Sequence, residues 1–288
     1  MYDIPLFEGR KLSFERTLVM GILNITNDSF YAASRVSGKS GALERARAMA
    51  EGGADIIDIG AESTRPGSHG VSAQIERDAL VPAIRSIRRE LPDMPISVDT
   101  RKASVASVAI EAGADIINDV SGLELPEEAD GMASIIAETG AAYVLTHTKG
   151  TPEVMQHDPR YGDLIEEIRE FLHEKITFLE KTGVGRKSII IDPGLGFGKK
   201  AADNLAILAN VDKFFDFDLP VLIGASRKGF IGPASVANAP KDPAERLEGT
   251  IAISSLCAFA GVGIIRVHDV AANRRAVDMI TEIERHRL

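Results

Sequence analysis

The feature that most constrains this chain is a short segment that returns along it: EGGADIIDIG at 51–60, EAGADIINDV at 111–120 and, more loosely, FAGVGIIRVHDV at 259–270. Each runs from a helical pattern into glycine and then into a brief apolar stretch. Glycine supplies the left-handed backbone that ends a helix, and an apolar stretch so short reads as a strand buried on both faces. Such strands belong to parallel sheets covered by helices. The first two copies start about 60 residues apart, room for two strand–helix units.

Filling the intervals predicts strands near 18–25, 56–60, 96–99, 116–119, 143–147, 189–192, 221–224 and 264–267. Helical patterns follow them, SAQIERDALVPAIRSIRREL and DLIEEIREFLHEKITFLEKTG among them, with apolar residues three and four apart. Eight alternating units predict a (β/α)8 TIM barrel of the α/β class, although an open doubly wound sheet shares the alternation. The length, 288 residues, is the usual size of one such barrel, and no low-complexity or Pro/Gly/Ser-rich stretch interrupts it, so a single domain over 1–288 is expected.

With 44% hydrophobic and 26% charged residues the chain can bury a sizeable core, which excludes intrinsic disorder. Its net charge of -9 argues against nucleic acid and anionic membranes as partners, so any anionic ligand needs a local basic site. No run approaches the roughly 18 apolar residues of a membrane span, and MYDIPLFEGRKLSFER lacks a signal-like apolar core. A cytoplasmic location is expected. The single cysteine, Cys257, sits in an apolar run and reads as a small buried thiol.

Every expected strand stops on a polar group: Asn24, Glu62 to Arg65, Asp99, Asn118 with Asp119, His147, Asp192, Ser226 to Lys228, and Arg266 with His268. In a barrel these ends converge on the face where active sites sit. Helix capping accounts for some of them, but it favours Ser, Thr, Asp and Asn and leaves Lys228, Arg266 and His268 unexplained. GASRKGFIG and IIRVHDV should bring Arg227, Lys228, Arg266 and His268 together, and with Arg65 they form the candidate anion pocket. Asp99, Asn118 and Asp192 offer acceptors and an amide for a nitrogen-rich heterocycle, and Phe197 in DPGLGFGKK offers a ring face. That Gly-rich stretch is no P-loop, because Lys200 stands where Ser or Thr is required. His147, Asp192 and His268 could ligate a metal, yet none has the spacing of a zinc motif. A weakly held magnesium ion that comes with a diphosphate needs only one protein oxygen, which Asn24 can supply.

In order and spacing, MGILNITNDSF, DIGAESTRPGS, SVDTRK, IINDVSG, IDPGLGFGK, GASRKGFIG and RLEGTIA followed by IIRVHDV resemble the motifs of bacterial dihydropteroate synthases. The resemblance covers nearly the whole chain. It implies a barrel transferase of folate biosynthesis that couples 7,8-dihydropterin-6-ylmethyl diphosphate to 4-aminobenzoate, with Mg2+ as cofactor, and that forms a homodimer. It further implies that Asp99, Asn118, Asp192 and Lys228 read the pterin, and that Arg266 and His268, with Asn24 through magnesium, hold the diphosphate. Thr64, Arg65, Pro66, Phe197 and Ser226 are then expected around the aminobenzoate. Catalytic weight falls on Arg266, His268, Lys228 and Asp99.

Departures from the family pattern bear on particular expectations. In the first loop Asn27 replaces a usual Pro, and Tyr31 to Ser34 replace an Asp-Gly-Gly, which bears on loop closure. Thr146 and Thr148 flank His147 where methionines are common, which predicts looser or wetter packing on the pterin face, and Gly229 stands where Ser is frequent. A pterin-dependent methyltransferase and a non-catalytic pterin-binding paralogue stay open as alternative readings. The helix GTIAISSLCAFAG fits either a dimer face or the core.

Overall fold

Period-two alternation sorts the strand residues into two apolar layers, one along a barrel axis and one under an outer ring of helices. The computed structural model describes residues 1–25, 37–62, 70–150, 159–234 and 242–287. Two short antiparallel strands, β1 (Tyr2–Pro5) and β2 (Lys11–Phe14), come first. The barrel strands are β3 (Leu18–Asn24), β4 (Ile56–Gly60), β5 (Ile96–Asp99), β6 (Ile116–Asp119), β7 (Ala142–Thr146), β8 (Ile189–Asp192), β9 (Leu222–Ile223) and β10 (Ile264–Val267). They are parallel in the order β8-β7-β6-β5-β4-β3-β10-β9. A parallel bridge between Ile191 and Val221 joins the two ends, with Ile191 N–H donating to the Pro220 carbonyl at 3.0 Å. Closure into a barrel, rather than an open sheet, rests on that bridge.

The helices are α1 (Ser37–Glu51), α2 (Ala73–Glu90), α3 (Ala103–Glu111), α4 (Pro126–Thr139), α5 (Leu164–Thr182), α6 (Ala201–Ala209), the single turn α7 (Ile231–Ala234), α8 (Leu247–Ala260) and α9 (Val270–Arg285). Their ends follow the local chemistry. Asp163 caps α5 by accepting from Glu166 N–H at 3.2 Å, and Ser72 caps α2 by accepting from Ile75 N–H at 3.3 Å. In the three repeated segments Gly53, Gly113 and Gly261 sit at φ 90°, 113° and 91°, the left-handed stop expected before each strand.

The bottom of the barrel is apolar. Met20, Ile56, Ile116, Val144, Ile190, Leu222 and Ile264 meet there with Ile4, Leu6 and Phe14 of the first hairpin, which plugs the N-terminal end. The outer layer includes Ile57, Val98, Ile117, Tyr143, Leu145 and Ile191, packed beneath the helices. Cys257 lies in this layer, and burial pushes its thiol up to about 12, so it stays protonated and inert.

Candidate active site

The residues that point along the barrel axis change from apolar at the bottom to polar at the top. Ile56 is followed two residues on by Asp58, Ile116 by Asn118, Ile190 by Asp192 and Ile264 by Arg266, because alternate strand residues share a face. The resulting polar layer is buried: Asp58 and Ser97 are inaccessible, and Asp99, Asn118 and Asp192 are nearly so.

Arg266 stands at its centre. Its Nε donates to Asp58 Oδ2 at 2.6 Å and its Nη2 to Asp99 Oδ2 at 2.7 Å. Ser97 Oγ donates to Asp58 Oδ1 at 2.6 Å, and Asn118 Nδ2 reaches Asp58 Oδ2 at 3.3 Å. Two edges of the guanidinium are thereby fixed, while among the described residues Nη1 has no protein partner. Burial opposes the charge, but Asp58 and Asp99 together hold the guanidinium pKa above its ordinary value. Burial pushes the Asp99 carboxyl up to about 7 despite the opposing pull of Arg266.

Lys228 and Asp192 form the facing side. The Lys228 ammonium donates to the Leu195 carbonyl and lies 4.5 Å from the centre of the Phe197 ring. Burial brings Lys228 down to about 8, with Asp192 resisting the fall, and burial likewise raises the Asp192 carboxyl. Asp192 Oδ1 accepts from Gly194 N–H at 2.7 Å, which ties the carboxylate to the Gly-rich loop.

On the Arg266 side, Ser226 Oγ accepts from His268 N–H at 3.1 Å and lies 3.0 Å from His268 Nδ1. This contact orients the His268 ring. Asn24 is exposed at the end of β3. A cavity of about 140 Å³ opens beside Phe197, with Arg101, Ser121 and Thr148 in its wall. A larger groove, about 490 Å³, lies at the opposite end of the barrel, where Arg16 and Arg274 pair with Asp55.

Asn24, Asp99, Asn118, Asp192, Phe197, Ser226, Lys228, Arg266 and His268 therefore all stand at or just beyond the C-terminal ends of barrel strands. Thr64, Arg65, Pro66 and the first-loop positions 27–34 lie outside the described residues. Arg227 leaves the expected anion cluster: its Nη2 pairs with Asp269 Oδ1 at 2.6 Å, and its backbone takes φ 56°. Asp119 accepts from Ser121 and from Tyr143 Oη at 2.6 Å, so it fastens the outer layer. Glu62 pairs with Arg101 and Lys102. His147 Nδ1 faces Lys199 Nζ at 2.7 Å, and among the described residues no three His, Cys, Asp or Glu side chains converge on a metal position. Thr146 is fully buried and its Oγ1 has no partner among the described residues, a polar gap in the wall of the site.

Asp58 escaped the sequence reading, although a charge in the middle of the apolar strand IIDIG signals it. A carboxylate buried there requires a cation, and in a barrel that cation can come from a distant strand.

A parallel barrel with a buried acid–amide set, an aromatic face and a fixed guanidinium at its mouth defines an enzyme that takes a polar heterocycle beside an anionic group. Residues 20–268 match the family described as pterin binding enzyme. The chain is 42% identical over 258 residues to the dihydropteroate synthase of Synechocystis sp., covering 90% of this chain and 87% of that protein. The Yersinia pestis dihydropteroate synthase solved with a sulfonamide drug complex superposes with a TM-score of 0.87 at 37% identity, covering 98% of both chains. The Xanthomonas albilineans enzyme solved with 7,8-dihydropteroate superposes at 0.84 and 34% identity, covering 97% of this chain and 99% of that one. This chain belongs to the dihydropteroate synthases, transferases of folate biosynthesis.

Proposed function

We propose that the polar layer at the barrel mouth carries out the condensation of 7,8-dihydropterin-6-ylmethyl diphosphate with 4-aminobenzoate as follows. The observation that carries the assignment of roles is Arg266, held by Asp58 and Asp99 on two edges and, among the described residues, without a protein partner on the third. Asp99, Asn118 and Asp192 receive the donor edges of the pterin, and Lys228 covers its acceptors. Nη1 of Arg266 and the ring of His268 face the diphosphate.

In the reaction the bond from the pterin methylene carbon to the diphosphate oxygen breaks with both electrons leaving on the diphosphate. Electron release from the dihydropterin ring supports the positive charge that develops on the methylene carbon. The arylamine nitrogen then bonds to that carbon, and its proton passes to the released diphosphate. No protein nucleophile is needed. Arg266 and His268 act where charge grows on the leaving group, so they stabilise the transition state more than the bound substrate. Phe197 and Ser226 border the aminobenzoate.

The donor set fits magnesium brought in with the diphosphate. Asn24 presents one neutral amide oxygen at the mouth, which suits a hard cation that keeps phosphate and water ligands. Magnesium, when bound, supplies positive charge against the leaving diphosphate. The test is diphosphate release by the purified protein given both substrates: release that stops on chelation of Mg2+ and returns on its addition is expected, and release indifferent to the ion contradicts this part of the proposal.

A pH profile follows from the same geometry. Asp99 accepts the pterin best when ionised, above about 7, and Lys228 donates best when protonated, below about 8. A plot of kcat/KM for the pterin diphosphate should rise up to about 7 and fall above about 8. A flat profile from about 6 to about 9 contradicts these roles.

The protein acts as a homodimer in this reading. Leu256 and Phe259 of α8 and Met279 and Ile283 of α9 are exposed, and these two helices pack side by side. Sedimentation should give twice the 30.9 kDa chain mass. Among the described residues no helix is long and apolar enough to cross a membrane. The cytoplasm, where free thiols stay reduced, suits the lone Cys257.

A further inference from the structure

The Gly-rich loop after β8 is laid directly on the chain that follows β7. A Cβ on Gly194 would stand 1.9 Å from the His147 carbonyl oxygen, and one on Gly198 would stand 2.3 Å from that of Lys149. At the end of this loop Lys199 turns inward and is 2% exposed. Its Nζ lies 2.7 Å from His147 Nδ1, 3.1 Å from the Phe197 carbonyl and 3.4 Å from the His147 carbonyl. From the other side Tyr161 Oη donates to the Gly198 carbonyl at 2.8 Å.

Each element of this arrangement is held. The His147 ring meets Phe171 edge-on, 4.8 Å between centroids. Burial, reinforced by Lys199, pushes the imidazole down to about 2, so the ring is neutral and its Nδ1 shares one hydrogen bond with the lysine amine. Burial also holds the Lys199 amine well below its ordinary value, with Asp192 opposing the fall, and its N–H donors face acceptors that converge on one point. An apolar side chain would fill the same space without the cost of burying a polar group, so the polar contacts, rather than the volume, explain a lysine here.

We propose that Lys199 is a positioning residue for the arylamine subsite: by bonding His147 Nδ1 and the Phe197 carbonyl together, it fixes the Phe197 ring beside Lys228 and so the face on which 4-aminobenzoate lies. The inference rests on Phe197 bordering the arylamine. It assigns Lys199 no contact with either substrate.

Lys199→Met keeps the stem and removes the donors. The expected result is a KM for 4-aminobenzoate raised by about 10-fold, with pterin diphosphate affinity measured by calorimetry within about 2-fold of wild type. A general structural role would move both substrates alike. An unchanged 4-aminobenzoate KM in the folded variant, or an equal loss for both substrates, overturns the proposal. If Lys199→Met does not fold, Tyr161→Phe reads the same loop from its surface side: a rise of about 3-fold confined to 4-aminobenzoate supports the proposal, and an unchanged value overturns it. Failure of the underlying reading is separable, since wild-type protein would then form no dihydropteroate, and the inference falls with it.

Discussion

Arg266→Ala is expected to lower turnover by about 100-fold or more, the loss seen when one donor is removed from the charge that develops in a transition state. Two effects combine. The variant loses the Nη1 donors that the proposed mechanism gives to the diphosphate, and it leaves Asp58 and Asp99 as neighbouring carboxylates without their cation. Breaking a buried ion pair from one side costs about 3–5 kcal/mol, so a lower Tm should accompany the loss of turnover. Arg266→Lys separates the two. A lysine restores a charge near Asp58 and Asp99 but cannot bond both and still present a donor to the phosphate, because it lacks the planar fork. Steady-state kinetics on thermally intact Arg266→Lys should therefore still show a large fall in kcat, and wild-type kcat would remove Arg266 from the mechanism.

Asp192→Ala is expected to weaken binding of the pterin diphosphate by about 100-fold or more in calorimetry. Hydrogen bonds to a charged group contribute about 1.5–3 kcal/mol each, and in the proposed role this carboxylate accepts two from a heterocycle edge. The substitution also frees the Gly194 N–H and takes from Lys228 the carboxylate that supports its charge. Asp192→Asn keeps the shape and one acceptor, so it should fall between the alanine variant and wild type. Affinity within a few-fold of wild type for the alanine variant would place the pterin elsewhere.

The barrel was legible in the sequence because its determinants are local. Glycine stops, short apolar strands and amphipathic helices each occupy a few consecutive residues, and the eight predicted strands lie where the structure has them, within two residues at each end. The first hairpin was not legible. Its strands have four residues each, and they are held by an apolar contact with the barrel floor that no local pattern encodes.

At the site, residues that follow a strand end could be read, since a polar residue after an apolar strand stands out. What could not be read was how those residues divide their bonds. Arg227 and Arg266 look alike in the sequence, yet Asp269 takes one and Asp58 with Asp99 takes the other. Asp58 and Lys199 act through partners 208 and 52 residues away. Such pairings follow from the closure of the barrel.

The most direct test of the whole account is the product formed by the purified chain. Given 7,8-dihydropterin-6-ylmethyl diphosphate, Mg2+ and 4-aminobenzoate, it should yield 7,8-dihydropteroate, identified by mass, together with diphosphate, and it should yield no dihydropteroate when the arylamine is withheld. Tight pterin binding without that product would contradict the account and would turn this barrel mouth into a recognition site whose chemistry lies elsewhere.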